Sequence, residues 1–315
     1  MKNFLRLVSK HIIIGAALYI IALIVLGERD SLRRNFLYYR IGSYGQLFTR
    51  LQDLDTTKNV DILFLGSSHS YRGFDTRMYT KEGYRVFNLG SSRQTPIQTN
   101  YMITNYIDQL NPKLVIIETY PYMFCSEGTE SSLDIISNTK SSISTFKLAL
   151  QQNNQIVYNT YIYSLYRDLI FNEKENYKIE ITRGKDTYIK GGFVEKELMY
   201  RKEKEFEARN WEFNDKQFKY FEKALKQLKN RKTKYILIEA PLPKAVYSSF
   251  KNNLYFENKM KNYGRFYNFN MKPYFTDSIH FMDDDHLNSI GIKIFNKKVI
   301  ELLKTPLNKT KKIGH

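Results

Sequence analysis

The chain of 315 residues contains a single cysteine, Cys125, so no internal disulfide can form. Cys125 follows an apolar run, which suits a small buried residue, and no base stands near it in sequence to make it a nucleophile. The lack of disulfides does not exclude an extracytoplasmic location, because a domain of this size can fold without them. Zinc-finger spacing, an RNP-like run and a basic heptad region are all missing. The net charge of +17 therefore comes without a nucleic-acid motif, and no nucleic-acid partner is expected. Lys and Arg are spread along the chain and are densest over 195–234, which reads as a solvated basic face. The functional alternative is attraction to anionic lipid or to an anionic cell-surface polymer. There is no internal repeat. A hydrophobic fraction of 42% is enough for a real core, and the abundance of Tyr (25) and Phe (21) reads as compositional bias rather than a functional signal.

The first charge-free stretch lies at the N-terminus. Residues 12–26 read IIIGAALYIIALIVL, and the 17 positions between Lys10 and Glu28 carry no formal charge. That is the short end of the range for a spanning helix. Lys2, Arg6 and Lys10 precede it and predict a cytoplasmic N-terminus, a bias that Arg29, Arg33 and Arg34 weaken. A cleaved signal peptide is the alternative, but no Ala-x-Ala site closes the run, so an uncleaved anchor is expected.

Residues 1–28 are thus read as tail and anchor, and 29–58 as a helical juxtamembrane connector with Leu32, Phe36, Leu37 and Tyr39 on one face. Short apolar runs at Val60–Leu65, Arg85–Leu89, Leu114–Ile117 and Tyr235–Ile238 suit buried parallel strands, with a fifth at Arg265–Asn268. Helical spacing marks 97–110, a long charged stretch over 195–230, and 287–303. This alternation predicts an α/β fold with a mostly parallel sheet covered on both faces, made of 59–125 and 231–304. Residues 126–230 interrupt it and read as a mainly helical insertion able to cap the site; 305–315 form a basic tail. In such sheets the site lies at the carboxyl ends of the strands, which gathers Gly66–Ser70, Gly90–Arg93, Glu118–Tyr120 and Pro241–Pro243 around one crevice.

Two segments there carry chemistry. Gly66-Ser67-Ser68-His69-Ser70 follows the first strand and places a hydroxyl and backbone N–H groups at a helix start. A serine in that place is more often a helix cap than a nucleophile. Asp283-Asp284-Asp285-His286 stands just before the last helix, and the spacing of Asp283 and His286 suits a carboxylate that orients an imidazole. Asp277 and His280 repeat the spacing six residues earlier; His286 is preferred because the last helix follows at once. His69 is a rival base, but too close to Ser68 to reach back easily. The acidic run could alternatively be a solvated loop or a divalent-ion site. Arg72 and Arg93 follow two of the strand-end loops and are candidate contacts for an anionic substrate, with exposed surface arginine as the plain alternative.

Ser68 after a first strand, Gly90 after a second and Asp-x-x-His before the last helix resemble the SGNH/GDSL hydrolases. The anchor, the GSSHS form and the DHLN form are similar to a divergent cell-envelope branch. That branch includes the D-alanyl transfer proteins of the teichoic acid pathway and polysaccharide O-acetylation proteins. The resemblance covers 60–120 and 234–303. It implies a three-layer α/β/α fold, Ser68 as nucleophile, His286 as base, Asp283 as its orienter, and an oxyanion hole from the Ser68 and Gly90 N–H groups. Two departures stand out: Ser67 replaces the Asp of the GDS motif, and Glu118-Thr119-Tyr120-Pro121 stands where a Gly-x-Asn-Asp block is expected. Asn88 or Tyr120 is the expected substitute for the missing oxyanion Asn, and Tyr120 a substrate contact.

The resemblance implies a serine acyltransferase or esterase on the outer face of a bacterial cell membrane. It would need no cofactor and act on O-acyl groups of a cell-surface polysaccharide or teichoic-type anionic polymer. A multi-pass membrane acyltransferase is the further partner implied. The alternatives are a catalytically silent glycan-binding or scaffold protein and a metal-dependent hydrolase at 277–286.

Overall fold

In a computed structural model, which describes residues 1–29, 36–43 and 45–305, the chain begins with one long helix, α1 (Lys2–Gly27). Its mean hydropathy reaches 2.2 over 18 residues and almost none of it is buried, so it is long and apolar enough to cross a membrane. After it come α2 (Leu47–Asp55), β1 (Ile62–Leu65), α3 (Ser68–Gly73), α4 (Thr76–Lys81), β2 (Val86–Asn88), α5 (Pro96–Leu110), β3 (Leu114–Glu118) and α6 (Pro121–Cys125). The next stretch carries α7 (Thr129–Asn138), α8 (Ile143–Gln152), α9 (Gln155–Phe171), α10 (Glu173–Asn176), β4 (Thr182–Arg183), β5 (Asp186–Ile189) and β6 (Phe193–Lys196). The chain closes with α11 (Asp215–Asn230), β7 (Lys234–Glu239), α12 (Lys244–Ser249), α13 (Asn253–Tyr263), β8 (Phe266–Asn268), α14 (Asp277–His280) and α15 (Ser289–Lys304).

The five expected strands form one parallel sheet in the order β2-β1-β3-β7-β8. Side chains alternate across a strand, and here both sets are buried. Leu63, Leu65, Val115, Ile117 and Leu237 join a cluster with α2, α5, α11 and α13. Ile62, Phe64, Ile116, Ile236 and Ile238 join another with Tyr79 of α4 and Phe295 and Val299 of α15. Double-sided burial is why these runs are continuously apolar rather than alternating. Helix starts are sharply set: Thr95 and Gln98 form a capping box before α5 with Pro96 in its first turn, and Asn288 Oδ1 accepts the Ile290 and Gly291 N–H groups at the start of α15.

Three expectations about the elements need correction. Among the described residues of the connector, the helix is α2. Leu37, Tyr39 and Ile41 are buried at every second position in an extended run that packs on Leu23 of α1 and Tyr163 of α9; Leu32 lies outside the described residues. The helix expected over 195–230 is α11 alone. Residues 197–214 are almost wholly irregular, because Phe206, Trp211 and Phe213 pack with Leu242, Val246 and Phe250 out of helical phase, and Asn214 caps the helix that follows. The interruption is mainly helical, with α7–α10 followed by the small antiparallel sheet β4-β5-β6, but its C-terminal bound moves. Helix α11, assigned to the insertion from sequence, packs on α5 and α6 and belongs to the core of the parallel sheet.

One side chain joins the parts. Arg50 of α2 is fully buried and donates to the carbonyls of Gly90 (2.9 Å), Gly192 (3.0 Å) and Gly45 (3.0 Å), one each from the β2 loop, the start of β6 and the connector. Helix α1 is tied to α9 as well. Tyr19 donates to Asn159 Oδ1 at 2.6 Å and Glu28 pairs with Arg167 at 3.0 Å.

Candidate active site

The turn from β1 into α3 separates two adjacent serines by role. Ser67 is the helix cap: its Oγ accepts the His69 N–H at 3.3 Å. Ser68 is the first helical residue, so its hydroxyl is not needed for capping, and its N–H has no acceptor within the helix. Ser68 Oγ lies 2.7 Å from His286 Nε2. On the other side of the ring, Nδ1 lies 3.0 Å from each Asp283 carboxylate oxygen.

The loop that presents these two residues is pinned at its base. Phe281 and Leu287, both buried, form an antiparallel bridge, and Met282 N–H donates to the His286 carbonyl at 2.9 Å. Asp283 Oδ1 also accepts the N–H groups of Asp285 (3.0 Å) and His286 (2.7 Å), so the orienting carboxylate is built into its own turn. Arg201, buried under the loop, holds Asp284 at 3.0 Å.

Two more residues belong here: Asp285, missed at the sequence level, and His69, weighed there as a rival base. Asp285 Oδ1 comes within 2.7 Å of His286 Nδ1. His69, buried beneath, donates from Nε2 to the Asp285 carbonyl at 2.6 Å and stacks on His286 with ring centroids 5.0 Å apart. Burial, then the nearby His286, push the His69 pKa down to about 4, so it stays neutral and holds the loop rather than acting as base. Burial alone would lower His286 too, but Asp285 and Asp283 outweigh it and raise its pKa to about 9. Burial likewise works against the Asp283 charge, yet His286 beside it holds that carboxyl far below its ordinary value.

The expected oxyanion donors fare differently. Asn88 is fully buried, and its amide is used internally. Its Nδ2 donates to the Ser70 carbonyl at 2.8 Å and its Oδ1 accepts Ser70 Oγ at 3.0 Å and the Gly90 N–H at 3.1 Å. Neither Asn88 nor the Gly90 N–H is therefore directed at a substrate, which corrects both assignments; the Ser68 N–H is the donor of that set left at the cleft. Gly90 is glycine for packing: a Cβ there would sit 2.9 Å from the Gly66 carbonyl and from Ser70 Cβ.

Ser68 and His286 open into a cleft of about 1060 Å³ between the parallel sheet, the connector and the interrupting segment. Tyr120, Tyr122, Trp211 and Phe250 contribute aromatic surface, and Tyr120 packs edge-on against His69 at 4.2 Å. Arg72 lines the cleft but is not open to an anion in the way expected. Its guanidinium is held bidentate by Asp186 of β5 at 2.9 and 2.7 Å. Arg93 is exposed, in a left-handed conformation (φ 47), and pairs with Glu130 at 3.3 Å. The cations that line the cleft and make no ion pair among the described residues are Arg40, Lys196 and Arg209, none of them singled out from sequence.

The metal alternative meets a crowded cluster. His69, Asp285 and His286 bring ligand atoms within 4.8 Å of one another, but His286 is engaged on both ring nitrogens and His69 on Nε2. Asp277 and Asp284 face away, toward Arg201. Comparison with protein-family models and with curated proteins finds no match to this chain.

Proposed function

We propose that the chain is a membrane-anchored serine acyltransferase or esterase with a three-layer α/β/α domain of SGNH type. It would act outside the cytoplasm of a bacterial cell on O-acyl groups of a cell-surface polysaccharide or anionic polymer. The observation that carries this reading is the continuous line Ser68 Oγ–His286–Asp283, with contacts of 2.7 and 3.0 Å. Residues 218 positions apart meet there at the carboxyl edge of a parallel sheet. The two apolar clusters on opposite sides of the sheet support the layered fold, and the Glu28–Arg167 pair ties the end of α1, just past the apolar run, to α9. Three cations without an ion pair among the described residues, beside the aromatic rings that line the cleft, suit a ring-bearing, anionic polymer.

In this scheme Ser68 Oγ attacks the acyl carbonyl carbon while His286 Nε2 takes the hydroxyl proton. The carbonyl oxygen gathers charge against the Ser68 N–H. The bond from acyl carbon to donor oxygen then breaks, His286 returns the proton to that oxygen, and an acyl ester remains on Ser68. A second hydroxyl, from polymer or water, reverses the sequence. The carboxylates around His286 stabilise the imidazolium formed in the transition state.

A second reading, a silent binding member of the same fold, is favoured by the inward-turned Gly90 N–H. Loss of one oxyanion donor costs about a hundred- to a thousandfold in rate. A fluorophosphonate probe on the detergent-solubilised full chain, with the labelled peptide mapped, separates the two. Labelling at Ser68 is expected, and an inert Ser68 would leave only the binding reading.

A further inference from the structure

Beneath the nucleophile turn lies a carboxylate that the acyl-transfer scheme does not use. Glu118 ends β3 and is 5% exposed. Its Oε2 accepts both donors of one residue, the Ser67 N–H at 3.2 Å and the Ser67 Oγ–H at 2.9 Å. Its Oε1 is buried with no partner among the described residues. Gly66 sits directly against it: with φ +139, a Cβ there would come 2.7 Å from Glu118 Cβ and 2.9 Å from Oε2. The β1–α3 turn is thus shaped around this carboxylate, and glycine at 66 makes room for it. An orphaned buried oxygen is costly to keep. A neutral strand residue here would avoid that cost and would also lose the grip on Ser67.

We propose that Glu118 is a positioning residue for acyl transfer. By holding both Ser67 donors from below, it fixes the 67–68 peptide so that the Ser68 N–H faces the cleft while Ser68 Oγ meets His286. It acts through Ser67 and does not touch substrate. The proposal rests on the serine mechanism above.

The groups around Glu118 bear on which form does the holding. Glu239 ends the neighbouring strand β7, accepts from Asn270 at 3.0 Å, and is kept neutral chiefly by burial. Tyr120 lies two residues on, and His286 lies across the turn. Burial raises Glu118 to about 7, against the Ser67 hydrogen bonds, the Tyr120 backbone N–H and His286, which all favour its charge. A charged acceptor binds the two Ser67 donors more strongly than a neutral one, so the grip tightens as pH rises through that value.

The test is the rate of fluorophosphonate labelling at Ser68 in the full chain, with thermal melting run beside it. Glu118→Gln and Ser67→Ala should each slow labelling about ten- to a hundredfold at saturating probe. The concentration for half-saturation should change little, and the double variant should be no slower than the worse single. In the wild type the logarithm of the rate should climb with a slope of about two over the roughly one to two units below pH 7 and about one from there to 9, because His286 must be deprotonated and a neutral Glu118 holds Ser67 about ten- to a hundredfold less well. Glu118→Gln should show a slope of about one throughout. Wild-type rates and slopes in both variants overturn the proposal. So does a slope of one in the wild type, a result that stands even if Glu118→Gln fails to fold. A wild type unlabelled at Ser68 sinks the serine mechanism itself, and this proposal with it.

Discussion

Two stretches six residues apart carry the same Asp-x-x-His spacing and end in different surroundings. His286 is 17% exposed, touches Ser68 on one nitrogen and is flanked by Asp283 and Asp285 on the other. His280 turns its Nδ1 to the Thr276 N–H at 2.7 Å, within its own turn, and rests edge-on to Phe275. Asp277 is not its orienter: it accepts the Lys244 and Ala245 N–H groups at 2.6 and 3.0 Å and so caps α12. The spacing places a carboxylate near an imidazole in neither case by itself. What differs is the Phe281–Leu287 bridge, which folds 282–286 back over the carboxyl edge of the sheet and leaves 277–280 outside it as a one-turn helix.

The largest effect that could break this comparison is at the proposed nucleophile and base. Ser68→Ala and His286→Ala should each lower acyl chemistry by about a thousandfold or more, with the double variant no worse than either, since the two act as a unit. Labelling, ester hydrolysis and melting temperature measured together decide it. Additive losses, or full activity in either variant, would separate the two residues and end the triad reading.

A smaller effect should expose Asp285, the second carboxylate that the folded-back loop brings to His286. With its pKa raised to about 9, His286 is protonated below that pH and cannot accept the Ser68 proton, so the rate should rise as pH increases through 9. Asp285→Asn removes a negative neighbour that favours the imidazolium, so the rising limb should move to lower pH by about one unit or more. Asp283→Asn should shift the limb the same way and also lose rate across the profile, because it orients Nδ1 as well. An unmoved limb in Asp285→Asn would mean that its carboxylate does not act on the ring.

The parallel sheet was readable because its five strands are short, apolar on both faces and bounded by Gly, Asn or Pro. Asp283 and His286 were readable because one turn of chain carries both. The residues that complete the site were not. Asp285 adjoins His286 in sequence, where no spacing rule looks. His69 acts through a backbone carbonyl, and Glu118 reads as the polar end of an apolar strand. The segment 126–192 hid its helices for a related reason: α7 buries Ser131, Ser132, Asp134, Ser137 and Asn138. Gln98, for example, reaches Ser132 Oγ at 2.7 Å. Hydrophobic periodicity is silent where a buried face is polar and hydrogen-bonded. The connector misleads in the opposite sense: Leu37 and Tyr39, two of the four residues expected on one helix face, belong with Ile41 to a period of two.

Asp277 should matter to stability and not to chemistry. Asp277→Ala removes the two accepted N–H bonds at the start of α12, worth about 1 kcal/mol for a helix cap. For a domain of this size that is a fall of about 2–4 °C in melting temperature, with labelling at Ser68 unchanged below the melt. A thousandfold loss of labelling would instead place Asp277 in the mechanism and reverse the assignment of the two carboxylates.

The smallest effect belongs to His280. Its ring accepts one local N–H and rests edge-on to Phe275. His280→Ala should therefore keep at least half of the wild-type labelling rate, the same pH limb near 9 and nearly the same melting temperature, as expected of a surface change within about 0.5 kcal/mol. The measurement is sharp because it runs beside His286→Ala, a histidine with the same spacing to an aspartate and the opposite expected outcome. Equal losses in the two variants would show that 275–287 works as one unit, with both histidines inside it.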